Sequence, residues 1–312
     1  MLSALCAAAF AIPAAAQDEP EGPPSPNEIV AQAKAAEWTT IAPSDLLVMD
    51  LAPDAKGKAR RVVIQLMPEP FNQGWVRNIR KLAAAKWYDN ISINRVQDNY
   101  VTQWGDPNYD NPAATGLAKP LPEGLEVMGE GDYVYEHYTP EELSKLDAPP
   151  LDGSGDSYAN WTKFVAGLPM ANDFMSEWPV HCYGMVGVGR NFSPDTGSGA
   201  ELYAVIGHAP RHLDRNIALV GRIIEGMEHM SSLPRGTGPL GFYETPEERT
   251  PILSVRMGGD IADLPGFEYL STESETFARY ADARANRRDP FFIKPAGGAD
   301  ICNIPVPVRR KG

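Results

Sequence analysis

The stretch INRVQDNYVTQWGD, residues 93–106, combines one fixed charge, one aromatic ring and one amide with apolar residues. Arg95 precedes Tyr100 by five residues, and Gln103 follows the tyrosine by three. Because side chains alternate between the two faces of a strand, residues 95, 101 and 103 share one parity, and the loop VQDN must bring Tyr100 round to them. The pattern allows two interpretations: these groups line a site, or Arg95 is an ordinary paired group on the surface of a sheet.

The composition is that of a globular chain without affinity for polyanions. Its 312 residues are 43% hydrophobic, enough to bury the core of one large domain or two. Acidic residues outnumber basic residues by 41 to 28, and the net charge of -13 repels phosphate backbones and anionic lipid. We therefore expect no nucleic-acid partner and no membrane-surface partner.

The first sixteen residues, MLSALCAAAFAIPAAA, are uncharged and end in an Ala-x-Ala pattern before Gln17. This pattern predicts a signal peptide over residues 1–16 and an exported, periplasmic protein, although the usual basic start of a signal is missing. The run is too short to span a bilayer, and no other segment approaches eighteen apolar residues, so we expect no membrane insertion of the mature form.

Two cysteines remain once Cys6 has left with the signal. Cys182 and Cys302 are a disulfide candidate in an oxidising compartment, where the bridge would stabilise the fold by about 4 kcal/mol in the chain-entropy model. The alternative is two free buried thiols.

The elements read along the chain favour a mainly β fold. A linker and a short helix, capped by Ser25 and running through Trp38, occupy residues 17–44. The runs LLVMDL and RVVIQLM, joined by a turn-rich connection, predict a hairpin, and FNQGWVRNIRKLAAAK has the apolar spacing of a helix laid over a sheet. Four further short strand-like runs follow Gly184, with the short helix EGMEHMSS before the last, and this favours a closed antiparallel barrel.

Two segments lie outside this pattern. Residues 107–183, dense in Pro, Gly and Asp, predict an inserted loop region. Residues 261–312 form a C-terminal extension with one helix, capped by Thr272 with Glu275 three residues on, and an extended end.

Several familiar catalytic signatures are missing from the sequence, which has no P-loop, no GxGxxG after a strand, no CxxC and no GxSxG. His208 and His212 stand four apart, but Pro210 between them argues against a helix and no third ligand is evident. We therefore predict no metal site and no cofactor.

The opening stretch fits the signature F-H-R-x-x-x-x-F-M-x-Q-G-G-D. Downstream, Gly199-Ala-Glu-Leu-Tyr-Ala falls on a G-S-Q-F-F-I run, and HLDRNIALVGRI, followed by EGME, falls on W-L-D-G-K-H-V-V-F-G-x-V. In these motifs, their order and their separations, residues 45–106 and 184–260 resemble the cyclophilin family of peptidyl-prolyl isomerases. The resemblance implies a closed eight-stranded antiparallel β-barrel over residues 45–260, capped by two α-helices and carrying the inserted loop and the terminal extensions.

The resemblance also implies a site. Its catalytic residues are Arg95, Tyr100 and Gln103, and the positions that would bind substrate are Val101, Gly189, Glu201, Leu202, Tyr203, His212, Leu213 and Ile217. The chain departs from the family pattern at four positions: Asn94 and Ile217 replace histidines, Glu201 replaces a glutamine, and His212 replaces a tryptophan. If Glu201 reaches Arg95, an ion pair would compete with substrate.

The implied activity is cis-trans isomerisation of X-Pro bonds in exported polypeptide clients by a monomer without a cofactor. The alternative, favoured by the four departures, is a catalytically weak or inactive peptide-binding module or chaperone on the same barrel. The retention of Arg95 favours the enzyme.

Overall fold

The structure is a computed structural model that describes residues 22–109, 114–136 and 156–312. The predicted signal peptide, residues 1–16, lies outside the described residues. The strands of the described part are, in chain order, β1 Trp38–Ile41, β2 Leu46–Leu51, β3 Arg60–Leu66, β4 Ser92–Val96, β5 Val101–Gly105, β6 Tyr135–Glu136, β7 Trp161–Val165, β8 Leu168–Asn172, β9 Ser176–Pro179, β10 Met185–Val188, β11 Leu202–Val205, β12 Leu219–Glu225, β13 Thr250–Met257, β14 Phe267–Leu270 and β15 Val308–Arg310.

Eight of these strands close into an antiparallel barrel in the order β10-β11-β5-β4-β13-β2-β3-β12, with β12 pairing back to β10. The predicted hairpin is the β2–β3 pair, in register from Leu46 opposite Gln65 to Leu51 opposite Arg60. The closed barrel of the predicted fold class is therefore confirmed.

The α-helices of the described residues are α1 Pro26–Ala31, α2 Gln73–Ala84, α3 Glu228–Ser231 and α4 Glu275–Ala285. The apolar face of α2 places Trp75, Ile79 and Leu82 in the barrel core, each with no exposed surface. Met230 of α3 joins the same core. Both helices pack on the barrel core, and for α2 the spacing of its apolar residues predicts this face.

Strand β2 is apolar on both faces because both faces are buried. Leu47, Met49 and Leu51 point into the barrel core, whereas Leu46 and Val48 pack outside it in a second cluster with Phe267 of the C-terminal extension. The run LLVMDL therefore shows no clean alternation of apolar and polar residues.

The insertion is more ordered than the predicted loop. Its described residues contain a four-stranded antiparallel sheet in the order β6-β9-β8-β7. Two of these strands contain a proline, Pro169 in β8 and Pro179 in β9, and proline in a run argues against a strand in sequence. The sequence expectation of a long loop is wrong for this part of the insertion.

The described N-terminal segment, from residue 22, and the C-terminal extension fold together. Strand β14 pairs with β1 on one side and β15 on the other, so the N-terminal segment and the C-terminal extension share one sheet. Helix α1 starts with the predicted cap, since Ser25 and Glu28 form a reciprocal capping box, but it ends at Ala31, and Trp38 opens β1 instead of ending a helix.

Helix α4 is capped by Ser274, whose hydroxyl accepts a hydrogen bond from the backbone N–H of Phe277. The predicted cap at Thr272 is wrong by two residues, because Ser274 stands directly before the first helical turn.

Cys182 and Cys302 form the predicted disulfide, with their Cα atoms 5.0 Å apart. The bridge ties the segment before β10 to the C-terminal extension. Within the described residues, none of the helices is long and apolar enough to cross a membrane.

Candidate active site

Four neighbouring barrel strands place a row of site residues side by side. Arg95 on β4 lies opposite Gln103 on β5, which lies opposite Tyr203 on β11, which lies opposite Gly187 on β10. Residues opposite one another in an antiparallel sheet share a face, so the register alone brings these groups together on the outer face of the barrel. Gly187 leaves space for its neighbour, because a Cβ there would stand 2.3 Å from the Tyr203 ring.

The turn between β4 and β5 brings Tyr100 to the same place. The N–H of Gln97 donates to the carbonyl of Val101 over 2.9 Å, and Asn99 takes a left-handed conformation with φ 51°. The centre of the Tyr100 ring then lies 5.8 Å from the guanidinium carbon of Arg95. This is the arrangement predicted from the parity of the opening stretch.

Arg95 is held by three hydrogen bonds. Its Nε donates to the carbonyl of Leu240 over 2.7 Å, one Nη donates to Oε1 of Gln103 over 3.0 Å, and the other donates to Gln97. A guanidinium has five N–H donors. The described residues accept three of those of Arg95, so two remain for a bound molecule. Burial lowers the pKa of Arg95, but a guanidinium still carries its charge at neutral pH.

A cleft of about 340 Å³ opens beside Arg95. Nine of the eleven residues predicted for the site line it, namely Arg95, Tyr100, Val101, Gln103, Gly189, Glu201, Tyr203, Leu213 and Ile217. Val101, Tyr203 and Val205 form a small apolar cluster with Tyr100 and Ile217 packed against it. The cleft therefore joins an apolar wall to the fixed guanidinium of Arg95.

Two predicted residues lie elsewhere. Leu202 points into the barrel core and is 1% exposed, because it alternates with Tyr203 on β11; its predicted contact with substrate is wrong. His212 is exposed and stacks on Tyr100 with the two rings 6.2 Å apart, which places it at the edge of the cleft.

Four residues line the cleft without having been predicted: Tyr109, Arg190, Leu240 and Phe242. Phe242 forms an isolated bridge to Arg95, and its ring centre lies 5.5 Å from the guanidinium carbon. Both Leu240 and Phe242 come from the glycine-rich loop GTGPLGFY, far from Arg95 in sequence. The sequence shows two large apolar residues in a turn, but it does not indicate that they lie beside Arg95.

Glu201 does not pair with Arg95 in the structure. Its Oε1 accepts a hydrogen bond from the backbone N–H of Asp106 over 2.8 Å, and its carboxylate lies against Gly105, where a Cβ would stand 1.9 Å from Oε1. The ion pair considered from the sequence is therefore not formed. Glu201 is instead 7% exposed in the cleft wall, with its carboxylate against Gly105 and its Cβ beside Gly189.

The described residues contain no group of three or more His, Cys, Asp or Glu side chains able to hold a metal ion. His208 lies at an exposed turn, where its backbone N–H donates to the side chain of Asn99.

Comparisons with known proteins agree with this geometry. The family model described as cyclophilin type peptidyl-prolyl cis-trans isomerase/CLD matches residues 56–257. Among solved structures, the chain is similar to the cyclophilin AquaCyp293 from Hirschia baltica, with 22% identity, a TM-score of 0.61 and coverage of 87% of this chain and 92% of that one. No curated protein matches the chain.

A second solved structure is a cyclophilin type peptidyl-prolyl cis-trans isomerase from Cryptosporidium parvum, determined in the presence of the dipeptide Ala-Pro. It is 11% identical, with a TM-score of 0.37 and coverage of 67% of this chain and 98% of that one, too distant to support an argument. The family model spans well over half of the chain, and the barrel and the AquaCyp293 likeness agree with it. The chain thus belongs to the cyclophilin-type peptidyl-prolyl cis-trans isomerases.

Proposed function

We propose that Arg95 catalyses rotation about X-Pro bonds by donating a hydrogen bond to the twisted amide. Rotation costs about 18–20 kcal/mol because it breaks the resonance of the peptide bond. In the twisted state the nitrogen lone pair is no longer delocalised and becomes a better acceptor, so a fixed N–H donor stabilises this state more than the planar one. The observation that supports this role is the fixed guanidinium with two N–H donors left over.

The neighbouring residues supply binding and orientation. The apolar cluster of Val101 and Tyr203, with Tyr100 and Ile217, suits the ring of a proline. Gln103 uses Oε1 to hold Arg95. Its Nε2 faces Gly189, since a Cβ added to that glycine would lie 3.6 Å from Nε2. In this position Nε2 can donate to a backbone carbonyl of the substrate. The substrates proposed on these grounds are proline-containing polypeptides, bound by a monomer.

Activity against a short proline peptide tests the role of Arg95. In a protease-coupled assay, we expect Arg95→Ala to lower kcat/KM by about 10²–10³-fold, the usual effect of removing one donor that stabilises a transition state. Arg61→Ala is the matched control, since Arg61 is a partly exposed arginine on another barrel strand, paired with Asp50. Equal activity in wild type and Arg95→Ala would exclude the proposed mechanism.

We propose further that the protein acts outside the cytoplasm on exported clients. Two features support this location: the uncharged segment 1–16 ending in Ala-x-Ala, and a disulfide of a kind that persists in oxidising compartments. N-terminal sequencing of protein recovered from the cell envelope is expected to begin at Gln17. Recovery of an uncleaved chain with reduced cysteines from the cytoplasm would contradict the proposal.

A further inference from the structure

A buried chain of polar side chains starts at the Tyr203 hydroxyl behind the cleft. His181 has no exposed surface, and its Nε2 lies 2.8 Å from the Tyr203 hydroxyl. Its Nδ1 lies 2.8 Å from Oδ1 of Asp214, and the same oxygen accepts the backbone N–H of His181 over 3.0 Å. None of the chemistry proposed for Arg95 uses this histidine.

The chain continues from Asp214 into two segments outside the barrel. Oδ2 of Asp214 accepts a hydrogen bond from Nε of Arg211 over 2.7 Å. The two Nη atoms of Arg211 donate to Asp156 of the insertion over 2.8 and 3.1 Å. One of them also lies 3.7 Å from Oδ2 of Asp300, two residues before the disulfide cysteine Cys302.

The partners of His181 determine which of its nitrogens carries the proton. The ionised Asp214 carboxylate accepts hydrogen bonds and donates none, so Nδ1 of His181 must be the donor in that contact. Nε2 of the neutral ring is then an acceptor, and the Tyr203 hydroxyl donates to it. The hydroxyl is thereby satisfied on the side away from the proline cleft, which fixes the tyrosine ring over Gly187.

We propose that His181 is a positioning residue that holds Tyr203 in the proline cleft, and that the insertion and the C-terminal extension fix its orientation through Arg211 and Asp214. The inference deepens the proposed isomerase function and rests on it. It gives a role to the insertion and the C-terminal extension, which lie outside the matched barrel motifs. Both support the wall of the cleft from behind. Without His181, the buried hydroxyl of Tyr203 loses its acceptor. Either the O–H bond then turns toward the cleft, or the whole tyrosine ring shifts.

The same geometry makes the contact between His181 and Tyr203 sensitive to pH. The charged or titratable groups that face His181 are Asp214, Arg211, His212 and Tyr203. Those that further act on the tyrosine are Tyr100, Arg190 and Tyr133. Burial lowers the pKa of His181 below its ordinary value of 6.5, against the opposing effect of Asp214. As the pH falls through that lowered pKa, Nε2 becomes a donor and the Tyr203 oxygen accepts from it. The hydroxyl hydrogen then has to find another acceptor on the side of the cleft, which changes the polarity of the cleft wall.

A double-mutant cycle at His181 and Tyr203 tests the inference. His181→Phe is expected to raise KM for a proline peptide about tenfold, equivalent to about 1.4 kcal/mol, with a smaller change in kcat. The same substitution on a Tyr203→Phe background should change KM less than twofold, because the hydroxyl that needs the acceptor is gone. Equal effects on the two backgrounds would overturn the inference. Circular dichroism and thermal unfolding verify that each variant is folded.

The pH profile separates positioning from a purely structural role. Wild type should lose affinity for the peptide as the pH falls through the pKa of His181, which burial holds below its ordinary value of 6.5. In contrast, His181→Gln, which keeps a neutral acceptor for the hydroxyl, should lose that pH dependence and recover part of the affinity lost in His181→Phe. A pH profile of His181→Gln identical to that of wild type would overturn the inference.

A readout that does not need activity keeps this test independent of the proposed function. Nitrogen NMR of the His181 ring at pH 7.5 is expected to show a proton on Nδ1 and none on Nε2. A proton on Nε2 would contradict the positioning scheme even in an active enzyme. An inactive wild type with the expected tautomer would refute the isomerase function while leaving the contact to Tyr203 in place.

Discussion

At Gly187, the ring of Tyr203 occupies the space in which any other residue would place its Cβ. We expect Gly187→Ala to push the ring out of position and to lower kcat/KM about tenfold or more, mainly by raising KM, because overpacking a fitted contact costs about 1–3 kcal/mol. Steady-state kinetics on a proline peptide measure the effect. Gly259→Ala is the matched control, since a Cβ there meets nothing within 4 Å. Unchanged kinetics in Gly187→Ala would show that the ring position is unimportant.

Glu201 places its carboxyl group in the cleft wall without pairing with Arg95. We expect wild type to prefer peptides with lysine next to the proline over neutral ones, and Glu201→Gln to reduce this preference about fivefold or less, in line with the modest free energy of partly solvated ion pairs. The ratio of kcat/KM for the two peptides, measured at low and high salt, tests this. A preference that is the same in both proteins would assign no such role to Glu201.

At the scale of elements, the disulfide joins the segment before β10 to the C-terminal extension across a sequence separation of 120 residues. Closing so long a loop restricts the unfolded chain, and we expect the Cys182→Ser, Cys302→Ser double variant to lose about 4 kcal/mol of unfolding free energy. Denaturant unfolding measures the loss. Reductant should destabilise wild type and leave the double variant unchanged; a reductant effect of equal size on both would contradict this account.

The elements that the sequence predicts well are those with a local pattern. Helix α2 repeats its apolar residues at helical spacing, and β2 and β3 flank a turn-rich connection, so both follow from neighbouring residues. The sheet of the insertion could not be predicted, because Pro169 and Pro179 break its strand-like runs. The short helix pattern ending at Trp38 failed for another reason: Trp38 pairs with Leu270, a partner more than 200 residues away.

At the scale of the whole molecule, the site depends on contacts between parts that are distant in sequence. Arg95, Tyr100 and Gln103 were assigned to one site because a single hairpin matches the family signature at all three, and Tyr203 because a second motif matches its strand. Leu240, Phe242 and His181 were not, since their roles arise only when a glycine-rich loop and the segment before β10 fold against the barrel. Leu202 was assigned to the cleft together with Tyr203, but neighbouring residues of a strand point to opposite faces, so its side chain enters the barrel core.

We expect Arg95 to make the cleft a catalyst rather than a binding groove. Exchange NMR on an Ala-Pro peptide at equilibrium distinguishes the two, because the same spectra report binding and cis-trans interconversion. Wild type should bring about rapid exchange between the cis and trans peptide, and Arg95→Ala should bind with similar affinity but cause little exchange. Binding by wild type without accelerated exchange would contradict this expectation and would leave a peptide-binding module on the same barrel.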